Sequence, residues 1–143
     1  MYINVEKNKS QIKFFINQLK KIDDSRFRII NRNIEKEKDP YKFLSKLEYD
    51  IDDMIYEIKM LNYYDYLRCQ IDSKNEFLLM YSFIKVIKKY IVFIKLSLVE
   101  RENEIVYVIS FHEALKDELN ARPFKEEKRW KYLNLLKNVN IKI

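Results

Sequence analysis

The sequence predicts an α+β domain in which N-terminal helices pack on a mainly antiparallel four-stranded meander, followed by a C-terminal helix. Three observations predict it. Before Leu61 the apolar residues recur at helical spacing; after it they fall in runs rich in β-branched and aromatic residues. Groups of turn-forming residues separate those runs. The 143 residues, 48% hydrophobic and 15% aromatic, suffice for one packed core, and no Pro- or Ser-rich linker divides them. Residues 1–143 therefore read as a single domain.

In Ser10–Ile22, the residues Ile12, Phe15, Ile16, Leu19 and Ile22 form one helical stripe, which Asp23-Asp24-Ser25 ends. Arg26-Phe27-Arg28-Ile29-Ile30 alternates and reads as a short strand. Asp39-Pro40 starts a second helix, with Asp39 as cap and Pro40 at the first helical position, running to about Leu47. A third begins at Asp50, where Asp50, Asp52 and Asp53 suit the positive end of a helix dipole better than a Mg²⁺ ion. The meander strands are Tyr63–Ile71, Glu76–Ile87, Tyr90–Val99 and Glu104–His112. Phe124–Lys137, carrying Trp130, Tyr132, Leu133 and Leu136, reads as the terminal helix.

Composition excludes several functions. The chain has no glycine, so neither a phosphate-cradling loop nor a dinucleotide fingerprint is present. With one histidine and one cysteine it holds no structural zinc set and no internal disulfide. No cofactor is expected, and a reducing, cytoplasmic setting is. The N-terminus lacks the apolar stretch of a signal peptide, and the most apolar region, Phe77–Val99, carries Lys85, Lys88, Lys89 and Lys95, so no membrane span is expected. From Arg122 to Ile143 seven basic residues face two acidic ones, which accounts for five of the six net positive charges. This basic extension, 122–143, offers Lys125, Lys128 and Arg129 as contacts for a polyanion such as RNA.

Strand alternation sorts the candidate chemistry. Tyr90, Val92, Ile94, Leu96 and Leu98 share a core face, leaving Phe93, Lys95 and Ser97 on the other. Tyr64, Tyr66, Arg68 and Gln70 form one row, and Val106, Val108, Ser110 and His112 another. In matching register, Tyr66, Arg68, Phe93, Lys95, Ser110 and His112 line one sheet surface. Its mixture of cations and aromatic rings suits phosphates and unstacked bases.

At Leu61-Asn62-Tyr63-Tyr64-Asp65-Tyr66-Leu67-Arg68, Phe93-Ile94-Lys95-Leu96 and Ile109-Ser110-Phe111-His112-Glu113-Ala114, the chain resembles the MqsR-type toxins, which are RelE-like mRNA interferases. The resemblance spans about residues 10–115 and is most specific at the last segment. It implies a RelE-like sheet, metal-independent cleavage of mRNA, and a cognate antitoxin partner. Arg68 stands where the family has lysine, Phe93 where it has tyrosine, and His112 at the family's histidine or lysine position. The implied catalytic set is His112, Lys95 and Arg68, with Tyr66 and Phe93 contacting substrate. The alternative is a non-catalytic phage or mobile-element inhibitor, anti-CRISPR-like, that binds a host nucleic-acid effector complex. The lost hydroxyl at Phe93 and the basic extension favour it, whereas His112 and Lys95 in matching motifs favour the nuclease.

Overall fold

Local signals of sequence place the three helices found among the described residues. Asn8 caps α1 (Lys9–Lys21): its Oδ1 accepts the Gln11 N–H at 2.9 Å while Gln11 Oε1 accepts the Asn8 N–H at 2.9 Å. The stripe Ile12, Phe15, Ile16 and Leu19 is buried. A 3₁₀ turn, Asp24–Arg26, follows under an Asp23 cap, and the Ser25 hydrogen bonds hold the Asp23 carboxyl below its ordinary range. Asp39 caps α2 (Pro40–Leu47), which ends on Glu48 in the left-handed region, φ 59°. Asp50 and Asp53 exchange hydrogen bonds as the capping box of α3 (Ile51–Lys59), so these carboxylates serve the helix end. The computed structural model describes residues 2–30, 38–73, 75–100 and 103–114.

The strands are β1 (Tyr2–Val5), β2 (Phe27–Ile29), β3 (Tyr66–Asp72), β4 (Asn75–Ile87), β5 (Tyr90–Glu100) and β6 (Glu104–Glu113). They form one six-stranded sheet of order β1-β3-β4-β5-β6-β2. This corrects the expected four-stranded antiparallel meander. The meander is present as β3 to β6, but β1 adds to it antiparallel to β3, and β2 adds parallel to β6, making the sheet mixed. Both additions are short strands whose pairing is long-range: Val5 meets Cys69, and Phe27 meets Val106. Periodicity within a segment carries no information about such partners. The expected C-terminal helix, with Lys125, Lys128 and Arg129, lies outside the described residues.

All three helices share a core with one face of the sheet. Phe15 of α1 stacks on Tyr81 of β4, centroids 3.8 Å apart and planes 11° from parallel, and reaches Phe83 at 6.2 Å. Val92, Ile94 and Leu96 of β5 are buried in the same cluster, as strand alternation predicts. The β4–β5 hairpin turns at Lys88-Lys89 with Lys88 at φ 54°, a position where glycine is the usual residue. Its ammonium donates to the Leu47 carbonyl and lies 4.9 Å from the Tyr49 ring, which ties the turn to the end of α2. Among the described residues no helix is long and apolar enough to cross a membrane.

Candidate functional site

Two β-bulges decide which side chains meet on the sheet face away from the helices. In β3, Tyr66 pairs with Phe83 but Arg68 pairs with Ser82, so Leu67 is an extra residue. Tyr66 and Cys69 consequently join the helix-side core, while Leu67 packs with Ile84, Ile91 and Phe93 on the opposite face. In β6, Lys95 pairs with Ser110 but Leu96 pairs with Val108, so Ile109 is the extra residue. Val106, Val108 and Phe111 thus fall on the helix side, and Ser110 and His112 on the far side beside Lys95 and Phe93. An uninterrupted alternation puts Val106, Val108, Ser110 and His112 in one row and Tyr66 beside Arg68; the bulges undo both.

The far face gathers four of the expected residues, three of them around the ring of the fourth, Phe93. His112 stacks on Phe93 with centroids 5.2 Å apart and planes at 29°. The Arg68 guanidinium carbon lies 5.9 Å from the Phe93 centroid, and the Lys95 ammonium 5.8 Å. These residues come from β3, β5 and β6 and meet because Arg68, Ser82, Lys95 and Ser110 form one continuous file across four strands. Directly opposed residues of an antiparallel pair have Cβ atoms about 5 Å apart.

The site is layered. Arg68, Lys95 and Ser110 are half-buried and reach solvent, whereas Phe93 (3% exposed), His112 (2%) and Ser82 (0%) lie beneath. His112 Nδ1 is 2.9 Å from the Glu113 carbonyl oxygen. A carbonyl only accepts, so in the neutral ring Nδ1 carries the hydrogen and Nε2 keeps the lone pair. Phe93, sandwiched in this way, offers no open surface for a base to stack on.

An aromatic residue missed by the sequence reading does. Tyr2 on β1 is 52% exposed, and the Lys95 ammonium lies 4.9 Å from its ring centroid. It joins the site because β1 pairs with β3, an arrangement that only the three-dimensional structure reveals. Asn4 of the same strand accepts a hydrogen bond from Gln70 Nε2 at 3.1 Å, extending the polar rim.

Tyr66 stands apart. It is 5% exposed on the helix side, edge-on to Phe83 at 6.1 Å, and burial raises its phenol pKa well above the ordinary value. Neither its position nor its ionisation suits contact with a ligand held by Arg68. A cleft of about 610 Å³ opens elsewhere, between α1 and the start of β6, lined by Phe14, Lys21, Arg26 and Glu104 among others. It contains none of the residues gathered around Phe93, and its charges are of both signs. Compared with known proteins, the chain matches no family model and no curated protein.

Proposed function

We propose that this chain is an RNA-directed protein of the toxin kind: a metal-independent mRNA endoribonuclease restrained by an antitoxin. The observation that carries the reading is the convergence of Arg68, Lys95 and His112 on the Phe93 ring from three strands. Cleavage of RNA by its own 2′-hydroxyl needs a base, an acid and stabilisation of a crowded dianionic phosphorane. The 2′-oxygen bonds to phosphorus, its proton passes to the base, and the P–O5′ bond breaks as the acid protonates O5′. The products are a 2′,3′-cyclic phosphate and a 5′-hydroxyl. Arg68 and Lys95 are the charge stabilisers, since a guanidinium matches two phosphate oxygens and stays protonated throughout. His112 is the proton carrier, with the Nε2 lone pair as its basic end. Tyr2, exposed beside Lys95, is the ring on which a splayed base stacks. The single buried cysteine, Cys69, suits a reducing cytoplasm.

A specific observation favours a second reading. His112 is only 2% exposed, so proton transfer requires the face to open, whereas simple binding by Arg68, Lys95 and Tyr2 does not. A non-catalytic inhibitor of a host nucleic-acid complex uses the same cations as a docking patch. Incubating a long unstructured RNA with wild type, Arg68→Ala and His112→Ala in excess EDTA separates the two. The nuclease reading expects cleavage by wild type and a loss of roughly a hundredfold or more in each variant. Intact RNA with folded wild type selects the inhibitor.

A further inference from the structure

We propose that Ser82 is the hydroxyl donor of an oxyanion subsite, of the phosphodiester class, set between Arg68 and Lys95. The proposal rests on reading this face as a surface that contacts RNA, but on binding alone and not on cleavage.

Ser82 Oγ is fully buried and is the one buried side-chain polar atom without a hydrogen-bond partner among the described residues. Buried hydroxyls ordinarily find partners, and an unmade bond is destabilising. The same sheet shows the ordinary outcome. Ser97, equally buried on the next strand, donates to the Leu79 carbonyl at 2.8 Å. Geometry therefore permits a strand serine here to be satisfied by backbone, and Ser82 is not.

Its position gives the unsatisfied group a direction. Ser82 pairs with Arg68 on one side and Lys95 on the other, so its side chain stands in the file between two cations on the face away from the helices. Ser110 continues that file beyond Lys95, and no acidic residue belongs to it. A hydroxyl flanked by a guanidinium and an ammonium is complementary to a tetrahedral oxyanion. The cations neutralise its charge, and the serine O–H fixes one oxygen. Both cationic arms lie over the Phe93 ring in this state, and moving them from the ring to an anion uncovers the hydroxyl below.

The test compares wild type, Ser82→Ala and Ser82→Thr in titrations with inorganic phosphate, against chloride at matched ionic strength. Ser82→Ala is expected to weaken phosphate about tenfold or more, the effect of removing a hydrogen bond to a charged group. Ser82→Thr, which keeps the hydroxyl and suits a strand, is expected to remain within about threefold of wild type. Thermal melts check folding; because Ala removes an unsatisfied hydroxyl, its midpoint is expected to equal or exceed that of wild type. Should Ser82→Ala not fold, Ser82→Cys supplies the same comparison with a weak donor of similar size. Wild-type affinity in Ser82→Ala overturns the proposal, as does the absence of saturable phosphate binding by wild type. Phosphate binding that depends on Ser82 in a protein that cuts no RNA leaves the subsite standing and removes the nuclease. RNA cleavage with undiminished phosphate binding in Ser82→Ala does the reverse.

Discussion

Replacing Lys85 with methionine keeps the length of the side chain and removes one charge from a buried junction between α3 and β4. Lys85 Nζ lies 3.1 Å from Glu57 Oε1 and donates to the Glu57 carbonyl at 3.0 Å, with side-chain exposures of 10% and 15% for the pair. Removing one partner of such a pair leaves a carboxylate in a poorly solvated site, which costs about 3–5 kcal/mol. Glu57 retains the Tyr49 hydroxyl at 2.5 Å, so the lower end applies, about 3 kcal/mol. For a chain of this size that corresponds to a fall of roughly 10 °C in Tm. Urea and thermal unfolding followed by circular dichroism measure both quantities. The double variant Glu57→Leu with Lys85→Met, which removes both charges, is expected to regain most of the loss, because apolar pairs often replace buried ion pairs without cost. A Lys85→Met protein within about 1 kcal/mol of wild type contradicts the reasoning, and places Glu57 in water rather than in the core.

Two further outcomes concern ionisable groups on the helix side. Cys69 is 1% exposed, and burial pushes its thiol up to about 11, so it is expected to resist thiol reagents in the native protein and to react at once in urea; rapid native labelling at neutral pH contradicts its placement. Burial pushes Tyr49 and Tyr81 up to about 12, with the Glu57 hydrogen bond adding to the effect at Tyr49. Raised values mean that the folded state holds these protons more tightly, so this stability is complete below the ordinary thiol and phenol range. It is lost as pH rises through the folded values. Urea midpoints measured from pH 8 to pH 12 are expected to fall across the upper part of that range; a flat profile there contradicts the burial of these groups.

How much of this was legible in the sequence differs by element. The helix starts were readable because Asp39-Pro40 and the carboxylates at Asp50 and Asp53 are local signals that act within four residues. The strands β3 to β6 were readable from their composition and from the turn residues between them. The edge strand β1 was not: Tyr2-Ile3-Asn4-Val5 is held by partners at Asp72 through Cys69, far along the chain. With it went Tyr2, the exposed aromatic of the site. The bulges at Leu67 and Ile109 were equally hidden, since one extra residue reverses every side chain beyond it while leaving composition unchanged. Their effects differ. The first removed Tyr66 from the site; the second left Ser110 and His112 beside Lys95 and Phe93 while sending Val106 and Val108 to the core. Ser82 drew no notice in the sequence because a lone strand serine is unremarkable until its hydroxyl is found buried between two cations.

Arg68, Lys95 and His112 are proposed to act together on a phosphodiester. The most direct measurement of this is the end chemistry of a long single-stranded RNA after incubation with the protein in excess EDTA. Wild type is expected to leave 2′,3′-cyclic phosphate and 5′-hydroxyl ends, reduced by roughly a hundredfold or more in His112→Ala and Arg68→Ala proteins that melt as wild type does. RNA left intact by folded wild type, or cut equally well by both variants, contradicts it.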